Sequence, residues 1–450
     1  MNKPDVTLSF VPGTTRAKEV RYLLNLALPV IVAELGWMAM GVVDTIMVGR
    51  LGPTAIGAVS LGNAIFDVAA VFGLGLVLGL DTYVSQAFGA GRRAECDDWL
   101  WQGVWLALLM MVPLMAVIAA SVPLMNAFGV QAAVLFEARP YIEAMIWSLP
   151  ALLLYFVLRR YLQGIGKVRA VMFALLSANL VNAAGNKVLG EMFGIAGVGW
   201  STCLSRAYMV GVLALYTVAV DRQLLQRITR PRLGAIRSLL ALGIPAGGQI
   251  LLEVGVFATA TLLAGKLQTE SLAAHHIVLN IAGSSFMVPL GISSAAAVAV
   301  GHAIGEGDPL RARRLGWMAV GLAVAFMSTM ALVMFLMPEL PLRAFTQNTE
   351  VLAIAVPLLF VAAVFQIFDG IQVAVTGAMR GSGDTRTPMY ANLVAHWLLG
   401  LPAGYYLCFY AGMDVVGIWT GLSAGLVMVG SVLLFAWWRS SPRLAASAHS

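Results

Sequence analysis

Twelve runs of about twenty or more mainly apolar residues divide this chain of 450 residues, and only short polar segments separate them. Hydrophobic residues make up 60% of the sequence and charged residues 11%, a composition that no ordinary soluble domain has. A helix needs about 20 apolar residues to cross a bilayer. The sequence therefore predicts an all-α polytopic membrane protein with twelve transmembrane helices.

An internal repeat divides these spans into two sets of six. Six spans return the chain to the side of the membrane where it began, so the two halves have the same orientation. Parallel repeats of this kind place a substrate pathway between the halves near the bilayer midplane. The aligned pairs include, at an offset of 216, Pro29 with Pro245, Thr45 with Thr261 and Gly75 with Gly291, and at 217, Gly164 with Gly381 and Arg169 with Arg386.

The repeat sets the predicted boundaries. We expect an N-terminal segment at 1–21, an N-terminal lobe at 22–220, a basic linker at 221–237, a C-terminal lobe at 238–438 and a tail at 439–450. The twelve spans are predicted at 22–48, 56–80, 100–122, 141–161, 168–190, 194–220, 238–263, 275–300, 315–337, 354–378, 388–410 and 414–438.

The positions of Lys and Arg predict the orientation, because loops that stay in the cytoplasm retain positive charge. With the N-terminus inside, 22 of the 28 basic residues are cytoplasmic, including Arg159 and Arg160, and Arg206 lies within the sixth span. The opposite side holds only Arg50, Arg139, Lys187, Lys266 and Arg343. We therefore expect both termini in the cytoplasm, and a net charge of +6 that reflects basic loops rather than a nucleic-acid partner.

Three carboxylates stand alone inside apolar runs: Asp44, Glu253 and Asp369. A charged side chain at the centre of a spanning helix costs roughly 2.5–3.5 kcal/mol, so it normally faces a polar cavity and handles ions, protons or charged substrates. Glu253 and Asp369 lie on different helices of one lobe and can converge on a site for a proton or Na⁺. The alternative is a structural acid paired with a buried donor. Asp67 also lies within a span, without an assigned role.

Neither Gly-Lys pair, at 166–167 and 265–266, has the spacing of a phosphate-binding loop. The loops are also too short to hold a nucleotide-binding domain. Transport by this chain is therefore predicted to run on an ion gradient or to be passive, with no cofactor beyond a transported H⁺ or Na⁺.

Several segments together resemble the multidrug and toxic compound extrusion (MATE) family, and its NorM-like branch in particular. They are MGVVDTIMVGRLG at 40–52, DTYVSQAFGAG at 81–91, Asn182 and Asn186 in the fifth span, Glu253 in the seventh, and FDGIQVAVTGAMRGSGDTRTPM at 368–389. The resemblance implies a V-shaped transporter of two helical bundles that exports amphipathic organic cations in exchange for Na⁺ or H⁺.

The resemblance also implies roles for individual residues. Glu253 and Asp369 match the acidic pair of the NorM-like branch, with Asn280 as a further polar candidate, although an interhelical hydrogen bond is the other interpretation of Asn280. Phe365 stands where members of that branch have Tyr one turn before the Asp. Its ring can attract a cation but it has no hydroxyl to coordinate Na⁺.

In the N-terminal lobe, Asp44 matches the first-span Asp that the family uses for protons or drug. Asn182 and Asn186 are four residues apart and so share one helix face. Asn186 stands where the family usually has an acid, which leaves Asp44 as the expected carboxylate of this lobe.

Two other functions stay open. A flippase for a lipid-linked saccharide or another amphiphile would use the same two-bundle architecture, with a basic rather than an acidic cavity. An intramembrane enzyme would need a nucleophile with its base, or a metal-binding cluster, at membrane depth, and the sequence shows neither. We expect a multi-pass transporter of the bacterial inner membrane that contacts lipid and small organic cations and works as a monomer.

The charge asymmetry generates a test of topology. Single cysteines introduced at Gly91 and Arg232 should be protected from an impermeant thiol reagent in intact cells, because both positions are predicted to be cytoplasmic, whereas a cysteine at Thr269 should react. Labelling of the Arg232 position from outside would overturn the orientation.

Overall fold

The computed structural model of the chain describes residues 16–50, 52–127 and 132–446. The first 15 residues of the predicted N-terminal segment 1–21, and residues 447–450 of the predicted tail 439–450, lie outside this range. Nearly every described residue belongs to a helix, as the apolar runs predict.

The first half consists of seven helices. Their bounds are α1 Arg16–Gly49, α2 Pro53–Val77, α3 Gly79–Gly89, α4 Arg93–Ala127, α5 Ala132–Gly164, α6 Val168–Phe193 and α7 Ile195–Val220. Helices α2 and α3 follow one another with only Leu78 between them and form one span, Thr54–Gly89. A 3₁₀ turn at Leu224–Arg227 lies between α7 and the second half.

The second half, described as far as Ala446, consists of eight α-helices and one π-helical segment. The α-helices are α8 Leu233–Ala264, α9 Thr269–Gly305, α10 Pro309–Leu336, α11 Glu339–Arg343, α12 Thr349–Ser382, α13 Arg386–Asn392, α14 Leu401–Phe409 and α15 Asp414–Ala446. The π-helical segment, Leu393–Gly400, joins α13 to α14.

Eleven helical stretches of the described chain are long and apolar enough to cross a membrane. The predicted span at 388–410 is the remaining one. It is continuously helical from Arg386 to Phe409, but the π-helical segment divides it into three shorter elements. The prediction of twelve spanning segments in an all-α protein is therefore confirmed, with one span of irregular geometry.

Capping residues fix the ends of α12. The Asn348 side chain accepts a hydrogen bond from the backbone N–H of Glu350 at 2.8 Å and so satisfies a donor that the first turn leaves unpaired. The helix ends at Ser382, and Gly383 follows with φ of 91°, a left-handed conformation that suits glycine. This helix carries Asp369 in its interior.

The two halves pack on each other in a pseudo-symmetric way. The first helix of each half lies against the second helix of the other, since α1 contacts α9 and α8 contacts α2. Glycines allow the close approach of α2 to α8: a methyl group at Gly75 would overlap the backbone of Gly247. Helix α3 also packs against α9.

These contacts lie toward the end of the bundle where α1 begins. Ile31 of α1 meets Gly291, and Ser85 and Gln86 of α3 meet Gly301 and Gly305. Toward the other end, α1 and α2 expose side chains such as Val42, Ile46 and Ile56. The contacts between the halves are thus concentrated on the side that the charge distribution predicts to be cytoplasmic.

The close packing of α9 on α12 generates a stability prediction. A side chain at Gly377 of α12 would collide with the backbone and hydroxyl of Ser293 on α9. We expect Gly377→Val to lower stability by about 1–3 kcal/mol, the usual cost of overpacking. The measurement is the midpoint of heat-induced loss of the monodisperse peak in detergent.

Gly211→Val is the matched control, because a methyl group at Gly211 of α7 meets nothing within 4 Å. Its melting midpoint should equal or slightly exceed that of the wild type, since it removes a flexible helical glycine. Equal midpoints for the two variants would contradict the packing argument.

Candidate ion and substrate sites

Glu253 of α8 and Asp369 of α12 form an acidic pair in the second half. The Asp369 side chain is 8% exposed and Glu253 is half-buried, and the two carboxylates interact electrostatically. Each belongs to a helix interior, where the backbone amides are already paired within the helix. Side chains must therefore supply the hydrogen bonds that these carboxylates receive.

Two glutamine amides donate to the same oxygen of Glu253. Gln249, one turn earlier on α8, lies with its Nε2 3.5 Å from Glu253 Oε2. Gln372 of α12 donates its Nε2 to this oxygen at 3.2 Å, which joins the two helices. Glu253 and Asp369 are thus held near each other by Gln372, which follows Asp369 by three residues on one face of α12.

Gln372 is a site residue that the sequence analysis missed. It is fully buried, and its carbonyl oxygen Oε1 has no donor within the described part of the chain. A buried oxygen of this kind usually contacts a water or an ion. A cation bound here would have oxygen ligands from Glu253, Asp369 and Gln372. The helical spacing of three residues from Asp369 was the available signal.

The π-helical segment supports α8 next to Glu253. Trp397 donates its indole N–H to the backbone carbonyl of Leu252 at 2.9 Å. A side-chain atom at Gly255 would approach the same indole ring to about 3.0 Å. π-Helical turns often occur at functional sites, and here the turn aims a tryptophan at the backbone of the helix that carries the carboxylate.

Phe365 and Asn280, the other two predicted members of this site, make different contacts. Phe365 is buried, with its ring centroid 5.9 Å from that of Phe257 and 5.5 Å from that of Trp419. Asn280 is exposed and donates to the backbone carbonyl of His276 on its own helix at 2.8 Å. Their part in cation binding stays a prediction.

In the first half, Asp44 of α1 meets the two asparagines of α6. Asn186 donates its Nδ2 to Asp44 Oδ1 at 2.6 Å, and the same nitrogen lies 3.2 Å from Asn182 Oδ1. Both asparagines are buried. Their shared helix face, predicted from the four-residue spacing, is confirmed, and it turns toward the half-buried carboxylate of α1.

A second network closes the cleft between the halves. Asp81 of α3 is 1% exposed and pairs with Arg160 of its own half at 3.3 Å and with Arg380 of α12 in the other half at 3.1 Å. Nearby, Thr82 donates its hydroxyl to the backbone carbonyl of Arg380 at 2.5 Å, and Gln86 donates to that of Gly381 at 3.0 Å. Polar contacts therefore join α3 to the end of α12.

Arg159 and Arg160, which the predicted orientation counts as cytoplasmic, fall inside the predicted span 141–161 and make contacts between helices. Both lie within α5 and are buried. Arg159 forms an ion pair with Glu34 of α1, and Arg160 pairs with Asp81. Buried guanidinium groups keep their charge when carboxylates accompany them, so these two residues connect helices.

Comparison with known proteins shows the family. The sequence profile of MatE matches residues 29–188 and, separately, residues 245–406. The two matches begin 216 residues apart, which is the offset of the internal repeat. The chain belongs to the MATE family. Each half of this MATE protein carries one copy of the family's repeat.

Two relatives that match nearly the full length of this chain have the same name. A "Probable multidrug resistance protein NorM" of Mesorhizobium japonicum is 36% identical over 445 residues, which is 95% of this MATE chain and 95% of the relative. A protein of the same name from Burkholderia mallei is 34% identical over 452 residues, covering 98% and 97% of the two chains. The resemblance to the NorM-like branch is confirmed.

Solved structures show the same fold. The crystal structure of the eukaryotic MATE transporter AtDTX14 superposes with a TM-score of 0.85 at 22% identity, covering 96% of this chain and 99% of that one. The outward-facing conformation of a multidrug resistance MATE family transporter gives a TM-score of 0.87 at 18% identity, with coverage of 95% and 97%.

Gln372 of this MATE protein donates to Glu253 and also has an unpaired buried carbonyl oxygen among the described residues, and this generates a prediction. Gln372→Leu removes one amide donor from Glu253, and a hydrogen bond to a charged group contributes about 1.5–3 kcal/mol. We expect gradient-driven dye efflux from proteoliposomes to fall by about tenfold or more. Unchanged efflux would show that the Gln372–Glu253 hydrogen bond is dispensable.

Gln366→Leu is the control on the same helix. Gln366 is also buried, but it bonds Ser285 and the sulfur of Met334 and no carboxylate. This variant should lower the melting midpoint with little effect on the efflux rate per folded molecule.

Proposed function

We propose that this protein is a secondary active exporter of organic cations that exchanges them for H⁺ or Na⁺ by alternating access. The observation that carries the proposal is the pair of interacting carboxylates at membrane depth, Asp369 and Glu253, of which Glu253 receives two amide donors. Like charges at close range repel, so a cation that binds between them is stabilised by both.

The contacts between the halves determine from which side of the membrane a cation reaches Glu253 and Asp369. The halves are closed by Asp81 and Arg380 on the predicted cytoplasmic side. In this state the coupling cation enters from the opposite, outer side. Its single positive charge lowers the net charge of the ionised pair from −2 to −1, and release of the cation after the cleft has changed sides restores the repulsion between the two carboxylates. An ion gradient directed inward then drives the cycle.

The first half supplies a second polar site for the exported compound or a proton. The carboxylate of Asp44 is held by Asn186 and backed by Asn182. A cleft that combines such carboxylates with exposed apolar side chains favours lipophilic cations over anionic lipid-linked sugars. We infer that the protein acts as a monomer in the inner membrane, with both termini in the cytoplasm.

The test of this function is export of ethidium from an efflux-deficient bacterium. Cells that make the protein should accumulate less dye than cells that make the Glu253→Gln/Asp369→Asn double variant at the same membrane level. Equal accumulation would overturn export of organic cations. Proteoliposomes with separately imposed ΔpH and ΔNa⁺ then identify the coupling ion.

The coupling pair generates a quantitative prediction. Glu253→Gln and Asp369→Asn each preserve shape but remove the exchangeable charge, so each alone should abolish gradient-driven efflux in proteoliposomes. The double variant should be little worse than either single one, because residues that act as a unit are not additive. Full gradient-driven efflux by Asp369→Asn would exclude the role given to that carboxylate.

Asp44→Asn distinguishes the role of the first half from that of the second half in the same assay. It should weaken efflux while leaving the remaining transport dependent on the same ion, since the carboxylates of α8 and α12 are intact. Loss of the ion dependence in this variant would instead place the coupling site in the first half.

A further inference from the structure

Asp67 is a charged residue inside a membrane span that neither site includes. It lies in the interior of α2, its side chain is exposed, and it forms no hydrogen bond or ion pair with any described residue. A carboxylate that faces lipid at this depth is costly, so an intramembrane acid normally faces a water-filled space and serves a function. The exposed carboxylate therefore points to the cleft between the halves.

Helix geometry agrees with this location. Val68 precedes Gly75 of α2 by seven residues, and Val254 follows Gly247 of α8 by seven, so each lies on the same helix face as the glycine at which the helices touch. Both valines are exposed, which shows that α2 and α8 separate at that level. Asp67 adjoins Val68, at about the same height as Glu253 on the opposite side of this gap.

A buried cation lies behind Asp67 in the first half. Arg206 of α7 is 7% exposed, its guanidinium stacks 4.5 Å from the centroid of Phe66, and it donates to the Ser148 hydroxyl at 2.5 Å. It forms no ion pair within 4 Å with a described carboxylate, yet it interacts electrostatically with both Asp67 and Asp44.

The charge balance of this cluster leaves one carboxylate in excess. Asp44 and Arg206 alone would be neutral overall and would have little preference for a cation. Asp67 brings the cluster to a net charge of −1, which a bound monovalent cation would neutralise. A second observation points to a ligand here: Asn186 Oδ1, beside Asp44, is buried and has no donor among the described residues.

We propose that Asp67 binds the cationic group of the exported compound, and that Arg206 balances only one of the two carboxylates, so that this cluster keeps one negative charge for one organic cation. The apolar part of the compound lies in the gap lined by Val68 and Val254. This inference rests on the proposed function and names the substrate anchor within it. It assigns the selection of cations in the first half to Asp67 as well as to Asp44.

Equilibrium binding of ethidium to the purified protein in nanodiscs, followed by fluorescence anisotropy, tests the proposal. Asp67→Asn should raise Kd by tenfold or more, whereas Asp67→Glu, which keeps the charge, should stay within about threefold of the wild type. Glu143→Gln is the control: it removes an exposed carboxylate of α5 that is already paired with Arg139, and it should change Kd by less than twofold.

A double variant, Asp67→Asn with Arg206→Gln, tests the charge balance. It restores a net charge of −1 through Asp44 alone, so ethidium should bind more tightly than to Asp67→Asn, but less tightly than to the wild type because the carboxylate that anchors the cation is absent. A folded double variant that binds as weakly as Asp67→Asn would overturn the balancing role of Arg206. If the double variant does not fold, the comparison of Asp67→Glu with Asp67→Asn still decides the role of Asp67.

The outcomes separate this inference from the proposed function. If the wild type exports and binds ethidium and Asp67→Asn binds it equally well, the inference is wrong and the function stands. If the wild type neither exports nor binds any lipophilic cation, the proposed function fails and the inference fails with it. The dependence of efflux on the coupling ion should be the same in Asp67→Asn and the wild type, because Glu253 and Asp369 are untouched.

Discussion

One buried carboxylate, Asp81, holds the two halves together at the closed end of the molecule. It forms one ion pair with Arg160 of its own half and another with Arg380 of the other half, so one carboxylate connects the two sides of the interface. Around it, glycines let helix backbones touch, and Thr82 and Gln86 donate to backbone carbonyls of α12. Polar contacts and small residues give the interface its register, and apolar side chains such as Leu23 and Leu26 of α1 are buried in it against α9. Such an interface suits two halves that must separate and close again.

The repeat supplies a common scaffold, while the chemistry of the two halves differs. At the offset of 216, Glu253 corresponds to Trp37, Asp44 to Ala260 and Asp67 to Gly283. Each acid thus stands where the other half has an apolar or small residue. The two polar sites are therefore not symmetry copies of one ancestral site. A repeated fold of this kind can bind a coupling ion in one half and a substrate in the other without competition for the same side chains.

The bilayer explains why so much of the fold follows from the sequence. Spanning runs must be helical and apolar, so the twelve spans, the repeat and the isolated acids are visible without coordinates. Contacts between helices are not, because they depend on rotation about each helix axis. The sequence does not distinguish Gln372 from other polar residues until α12 is seen to face α8. It also does not show which carboxylates pair with Arg159 and Arg160. The π-helical segment at Leu393–Gly400 cannot be recognised from the hydropathy of its span.

The same two helices carry the carboxylates of the proposed coupling site and contacts with the other half. On α12, Asp369 and Arg380 are eleven residues apart, about 16 Å along one helix, and on α8, Glu253 follows Gly247 by six residues. A change in the relative position of α8 and α12 at the carboxylate pair is therefore transmitted to the contacts that these helices make with α2 and α3. In the proposed cycle, a cation bound at the pair lowers the repulsion between α8 and α12. Because the same helices also contact the other half, the proposal needs no additional relay between the site and the interface.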